Sequence, residues 1–131
     1  MSSESPTHIS LRNERPFPKF LDLPGDFDVD RRYLRFKSAT MLEPRRHWCL
    51  FAEVIQSQKI VRLVISAFDK TGQLITVALY TPDRGKKLVK VVKPGCTLAI
   101  LYARQHFFLD GSVGVRVENP NDIKASSLDL V

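Results

Sequence analysis

The amino-acid sequence predicts an all-β domain, a small five-stranded barrel with one short helix, preceded by an extended N-terminal arm. Short runs of alternating apolar and polar residues recur between residues 48 and 117, and Asp, Gly and Pro separate them. A period of two residues is typical of strands, and five such runs at this spacing are typical of a small barrel. The length of 131 residues suits one domain with a modest core.

Composition divides the chain into four segments. Residues 1–15 are polar and predict a mobile tail, while residues 16–46 predict an extended aromatic arm. The arm ends in a basic stretch, residues 31–40, that predicts a short edge strand, and a connection with a proline follows it. Residues 47–124 form the predicted barrel, and residues 125–131 form a C-terminal tail.

Three strands are predicted to begin the barrel as an antiparallel meander. They cover residues 48–56, 60–69 and 73–80, with a polar break at 57–59 and a glycine-containing loop before the third strand. In the first strand, Leu50, Ala52 and Val54 share one face, with neither face assigned to the core. In the other two strands, apolar residues at every second position form the predicted inward set: Val61, Leu63, Ile65, Ala67, Ile75, Val77 and Leu79.

Residues 86–92 connect the third predicted strand to the fourth. Leu88, Val91 and Val92 recur at the spacing of one helical face, which favours a short helix that seals one end of the barrel. The β-branched valines weaken that helix, so a loop remains the alternative.

Two further strands complete the barrel. Pro94 and Gly95 predict a type II turn, because proline fixes φ and glycine accepts a positive φ. Residues 97–103 and 113–117 alternate as strands, and an Asp-Gly pair between them predicts a reversal.

This order of strands resembles the OB-fold, a partly open five-stranded barrel that binds oligonucleotides or oligosaccharides in many proteins. The segment from residue 93 to 120 also resembles a segment found beside MYND-type zinc fingers in fungal proteins. The matching residues are Tyr102-Ala103, His106, Phe108, Asp110-Gly111 and residues 114–120. The cysteine cluster of the finger is absent after residue 120, so the resemblance implies an accessory domain without a zinc site, used for protein or nucleic-acid contacts.

Basic residues are concentrated in one segment. The net charge is +6, and residues 84–104 contain six Lys or Arg side chains and no acid. Such a concentration indicates an acidic or phosphate-bearing partner, with a solvated, solubilising loop as the alternative.

Candidate chemical groups do not form a recognisable catalytic or metal site. His47 and Cys49 would share a strand face, but nothing marks an oxyanion site or an activated thiolate. The Asp26, Asp28 and Asp30 spacing lacks the glycine and distal glutamate of an EF-hand. We therefore predict no enzyme activity, no cofactor and no metal. Two free thiols and the lack of a signal-peptide pattern predict an intracellular protein, cytoplasmic or nuclear.

Two binding functions remain. The first is a protein-interaction module, in which Phe17, Phe20 and Phe27 of the arm contact a protein partner. The alternative is single-stranded nucleic-acid binding on the barrel face, through Arg62, Phe68, Tyr80, Lys86, Lys87, Lys90, Arg104 and Arg116. Small apolar residues on that face favour a covered surface, and an arm lying over it would block a nucleic-acid site.

Overall fold

The computed structural model describes residues 16–126, so the tail predicted for residues 1–15 and residues 127–131 lie outside the described part. The strands within it are β1 (Leu34–Phe36), β2 (Leu42–Pro44), β3 (Cys49–Lys59), β4 (Leu63–Asp69), β5 (Leu74–Leu79), β6 (Thr97–Leu101), β7 (His106–Phe107), β8 (Val113–Val117) and β9 (Ile123–Ser126). Short 3₁₀ helices lie at Phe20–Asp22, Leu88–Lys90 and Pro120–Asp122. The domain is therefore all-β, as the sequence predicts.

The strand pairing is that of an OB-like fold. Seven strands form one sheet in the order β7-β8-β5-β4-β3-β6-β9, and β1 pairs with β2 separately. Strands β3, β4 and β5 form an antiparallel meander, β6 returns along β3, and β8 pairs with β5 in parallel. No pairing between β6 and β8 is found in residues 16–126, and a cleft of about 380 Å³ lies there. The barrel is thus open at this seam.

Alternation along the strands places one side of the sheet in the core. The residues of β3, β4 and β5 that belong to this core are Leu50, Ala52, Val54, Leu63, Ile65, Ala67, Ile75, Val77 and Leu79. Burial of each large aliphatic side chain contributes roughly 1.5–3 kcal/mol. The predicted inward set is confirmed except for Val61, which is exposed because it precedes β4 in the connection from β3.

The arm packs against the barrel and adds to its core. Phe20, Leu23, Tyr33 and Leu34 are buried in the same apolar cluster as the strands. The backbone N–H of Phe20 donates to the buried carboxylate of Asp69 at 2.8 Å, which joins the arm to the end of β4. Residues 16–46 therefore do not form a separate segment.

Several predicted boundaries are wrong. Residues 57–59 continue β3, and residues 41–46, expected to be a connection, contain β2 paired with β1. The helix predicted for 86–92 is a single 3₁₀ turn, in keeping with its valines. Residues 125 and 126, predicted to begin a C-terminal tail, belong to β9, which pairs with β6 up to Ser126.

The turn before β6 is confirmed. Gly95 has a φ of +90°, and the Cys96 N–H donates to the Lys93 carbonyl at 3.0 Å. Among residues 16–126, no helix is long and apolar enough to cross a membrane.

Candidate binding groove

An open groove of about 410 Å³ lies on the outward face of the sheet. Its floor is formed by Val64, Thr76 and Ala78, which lie side by side because Val64 pairs with Ala78 in the β4–β5 register. These side chains are small or β-branched, so the floor is shallow and flat. In OB-like folds this face, on the second and third strands of the barrel, is the usual ligand-binding face.

Two loops form the walls of the groove. The connection from β3 to β4 contributes Ile60, Val61 and Arg62, and the connection from β7 to β8 contributes Phe108 and Asp110, among others. Ile60 is 85% exposed and Val61 is 57% exposed. The groove therefore has a floor formed by strands β4 and β5 and, in one wall, apolar side chains that are largely exposed.

Tyr80 lies at one end of the groove between two arginines. The guanidinium carbon of Arg62 is 3.8 Å from the centre of the Tyr80 ring, and that of Arg116 is 4.6 Å from it. The pairing of β8 with β5 brings Arg116 to Tyr80, because the Tyr80 N–H donates to the Val117 carbonyl and Arg116 pairs with Ala78. Arginine over a tyrosine ring is held by cation–π attraction, which leaves most guanidinium N–H groups for other acceptors.

Acidic groups near the groove are engaged locally. Glu118 lies 3.4 Å from Arg116 and is largely exposed, so solvent screens this pair. Hydrogen bonds from the Ser112 hydroxyl and N–H lower the pKa of Asp110, which stays ionised within its own loop. Arg62 has no ion-pair partner within residues 16–126. The Tyr80 end of the groove is therefore positively charged.

The predicted lysines lie on a neighbouring loop. The Leu63 N–H donates to the Arg84 carbonyl, which holds this loop beside the start of β4. Asp83 shapes it by accepting hydrogen bonds from Thr81, Gly85 and Lys87. The predicted cations of this loop, Lys86, Lys87 and Lys90, are exposed outside the groove, and Lys87 lines a separate cleft of about 360 Å³.

Phe68 and Arg104, both predicted to bind nucleic acid, differ in position. Phe68 shares the outward face and is 43% exposed beside Leu74, its partner in β5. The Arg104 guanidinium instead donates to the carbonyls of Gly25 and Asp28, at 3.0 and 2.6 Å. Arg104 therefore fixes the arm, because two backbone acceptors lie within its reach, and its guanidinium is not directed at a ligand.

The arm does not cover the groove. Phe20, predicted to contact a partner, is 1% exposed and belongs to the core, so its side chain is not available to a partner. Phe17 packs on Phe51, with ring centroids 5.5 Å apart, and Phe27 is 97% exposed. The arm contributes no lining residue to the groove. Residues 16–46 therefore leave this groove open.

The cysteines and histidines are not arranged as a catalytic pair. Burial raises the pKa of the Cys49 thiol to about 11, which keeps it protonated and weakly nucleophilic at neutral pH. His47 is hydrogen-bonded to the Tyr102 hydroxyl, and Cys96 is buried. These contacts give no thiolate–imidazole pair in the part of the chain that is described.

The three aspartates of the arm have different partners. Asp26 is paired with His106, and Asp28 accepts from a backbone N–H three residues earlier. Asp30 is paired with Arg32, whose hydrogen bond lowers the pKa of the Asp30 carboxyl. Across residues 16–126, no group of three or more His, Cys, Asp or Glu side chains is placed to hold a metal ion.

Apart from Arg62, the sequence did not indicate the residues that form the two walls of the groove. The sequence predicts Ile60 as the first residue of a strand and Val61 as one of its inward residues, directly after the polar break at 57–59. Phe108 was singled out only by family resemblance, to OB-fold domains and to the segment beside MYND-type fingers. The separation along the chain explains the omission, because loops 46 or more residues apart meet only in the folded barrel.

No family model and no curated protein matches the chain. Among solved structures it is similar to Schizosaccharomyces pombe Pot1pC bound to ssDNA, with a TM-score of 0.47 and 10% identity over 73% of this chain and 88% of that chain. It is also similar to the S. pombe Stn1–Ten1 complex, with a TM-score of 0.42 and 12% identity over 74% of this chain and 68% of that chain. The OB-like assignment here rests on the strand pairing.

Proposed function

We propose that this protein is a non-catalytic binding module whose groove holds single-stranded nucleic acid. The observation that supports this most is the meeting of Arg62 and Arg116 at Tyr80, beside an open floor. Sites for single strands combine aromatic or guanidinium planes, on which bases stack, with cations that follow the phosphates. The groove offers both in one place, and the arm leaves it open.

The floor suits an unpaired base better than a duplex. Val64, Thr76 and Ala78 leave room for a flat ring to lie against the sheet, next to the exposed edge of Tyr80. Arg62 and Arg116 would then bind phosphates or stack on bases, because the guanidinium is planar and always charged. Cations on the neighbouring loop, including Lys86, extend the positive field.

Binding of fluorescently labelled single-stranded DNA and RNA of about 12 nucleotides, within the usual site size of such folds, tests the proposal. We expect Tyr80→Ala to weaken binding by roughly 5- to 150-fold, the equivalent of about 1–3 kcal/mol, because the Tyr80 ring positions the two guanidinium planes on which a base would stack. Arg62→Ala should lower the slope of log affinity against log salt by about 0.7.

Phe107→Ala is the matched control, because Phe107 is an exposed aromatic residue that does not line the groove. Its affinity should equal that of the wild type. If the wild type binds neither DNA nor RNA even at low salt, or if Tyr80→Ala and Phe107→Ala behave alike, the groove is not a nucleic-acid site.

A protein partner is the second candidate, and the exposed aliphatic residues favour it. Ile60, Val61 and Leu74 are each more than half exposed, and Leu109 is fully exposed, around the same face. Apolar side chains exposed together on one face are typical of protein interfaces. Binding that persists as salt rises, and that Ile60→Ser reduces, would support this candidate over the first.

A further inference from the structure

A second basic surface lies on the β1–β2 hairpin, far along the chain from the segment 84–104. Residues 31–46, here called the arginine hairpin, contain one acid, Glu43, and six cations: Arg31, Arg32, Arg35, Lys37, Arg45 and Arg46. Their net charge of +5 nearly equals the +6 of the whole chain. The sequence pattern indicated only a short edge strand here.

The hairpin is anchored at its base and projects at its tip. Tyr33 and Leu34 are buried, and the Tyr33 ring packs on Trp48 with centroids 4.9 Å apart. Two residues further along the same strand, Phe36 is 53% exposed. The anchored base fixes the backbone at the two ends of the hairpin, which carry four of its six cations.

Three arginines surround one cleft in the hairpin. A cavity of about 220 Å³ is lined by Val29, Arg31, Leu34, Arg35, Phe36 and Arg45. The cleft thus has guanidinium groups, an exposed aromatic ring and an aliphatic base within one small volume. This is the chemistry that accepts a phosphate together with an adjoining base.

The charges at this cleft are only partly neutralised. Arg35 is bonded to Glu43 at 2.8 Å, and Arg32, outside the cleft, is paired with Asp30. Arg45 uses one N–H on the Arg31 carbonyl. Within residues 16–126, no carboxylate lies within ion-pair distance of Arg31 or Arg45.

We propose that the arginine hairpin is a second nucleic-acid contact, with Arg31 and Arg45 binding phosphates and Phe36 meeting a base. That the ligand is a nucleic acid is inferred from the function proposed for the groove, whereas the position of the site is inferred from the residues that line the cleft. Arginine is the side chain suited to this role, because its fork of N–H donors binds phosphate oxygens in pairs.

The test uses the full chain and an oligo-dT of about 20 nucleotides, titrated by fluorescence anisotropy at several salt concentrations. We expect the Arg31→Ala/Arg45→Ala variant to bind at least about tenfold more weakly at ~0.1 M salt. Its slope of log affinity against log salt should be smaller by roughly 1.4, since each phosphate contact to a single strand contributes about 0.7.

Arg32→Ala is the matched control, because Arg32 is an exposed arginine of the same hairpin that already has Asp30 as a partner and lies outside the cleft. It should bind within about twofold of the wild type. Thermal unfolding of all variants shows whether the fold is intact; Phe36→Ala gives a second variant at the cleft and should also weaken binding.

The outcomes separate this inference from the function proposed for the groove. Normal binding by the Arg31→Ala/Arg45→Ala variant, with loss in Tyr80→Ala, overturns the hairpin site and leaves the groove. The reverse pattern supports the hairpin and overturns the groove. If the protein binds polyglutamate more tightly than oligo-dT, and this binding requires Arg31 and Arg45, the partner is an acidic protein and the nucleic-acid assignment is overturned. If the wild type binds neither DNA nor RNA, both the hairpin site and the groove site are overturned.

Discussion

Gly114 is the position where one added methyl group tests the sheet topology most directly. It lies on β8 opposite Thr76 of β5, in the parallel pair. A Cβ at this position would lie 1.7 Å from the Thr76 carbonyl oxygen and 2.6 Å from its carbonyl carbon. Both atoms belong to the backbone, so no side-chain rotation relieves the overlap, and Gly114→Ala must move the two strands apart.

The expected loss of stability follows from what the displacement disrupts. Forcing extra volume into a packed site costs roughly 1–3 kcal/mol. Loss of two backbone hydrogen bonds between β5 and β8 adds roughly 1–3 kcal/mol. The sum, about 2–6 kcal/mol, is a large part of the 5–15 kcal/mol that is typical of a whole domain.

Urea unfolding followed by the fluorescence of Trp48, which is buried, measures this loss. Gly111→Ala is the matched control: its φ is +90°, but no heavy atom lies within 4 Å of the added Cβ. The control should cost only about 1–2 kcal/mol, from the left-handed backbone alone. If Gly114→Ala lies within about 1 kcal/mol of the wild type, or costs no more than Gly111→Ala, the parallel pairing of β5 and β8 is wrong.

Two further predictions concern the contact between the arm and the barrel. Burial alone would raise the pKa of Asp69, but hydrogen bonds from Phe20, Thr71 and Gln73 outweigh it and lower that pKa below the usual 3.8. The Asp69 carboxylate therefore stabilises the fold above its unfolded-state pKa, and this stabilisation is lost as pH falls through its folded-state pKa. Urea titrations at several pH values should show that Asp69→Asn is less stable than the wild type near pH 7 and loses less stability below about pH 4. An unchanged dependence of stability on pH would contradict this. Phe20→Ala should lower the free energy of unfolding by about 3–5 kcal/mol, measured by thermal unfolding, because Phe20 is buried. The control Phe27→Ala should stay within about 0.5 kcal/mol of the wild type, because Phe27 is exposed. Equal effects of the two substitutions would show that the arm is not part of the core.

The sequence predicted the central strands because their signal is local. Leu63, Ile65 and Ala67 lie at every second position, and their burial on one face of β4 follows from the two-residue period of a strand. The turn at Gly95 was likewise predictable, since proline and glycine each restrict or permit particular φ values. These elements require no knowledge of the partner strand.

Elements that depend on distant partners were not predictable. Pro44 was taken as a connection, because proline cannot donate to a sheet ladder. It lies in β2 of a two-stranded sheet, and among residues 16–126 no further strand pairs with the other edge of β2, so the missing donor does no harm. Likewise, the sequence does not indicate β9, which spans the predicted boundary between barrel and tail at residue 125, because its four residues gain stability only from pairing with β6.

The candidate site was predicted as a set of residue types but not as an arrangement. Arg62, Tyr80 and Arg116 were all named from the sequence, yet only the parallel pairing of β8 with β5 brings Arg116 to the tyrosine. Arg104 was named on the same grounds and is bound to the arm. The resemblance to the segment beside MYND-type fingers stays a prediction.

The number of cations in a segment is a poor guide to where a ligand would bind on this protein. The six cations of residues 84–104 match the net charge, but the carbonyls of the arm already occupy Arg104. The arginine hairpin also contains six cations, two of which have carboxylate partners. Arg31 and Arg45 line the cleft and have no carboxylate partner among the described residues. An anionic ligand gains most from cations that the fold has positioned but not neutralised. Arg62 beside Tyr80 and Arg31 in the hairpin meet that condition, so the affinity should depend more on these two arginines than on the lysines that dominate the count.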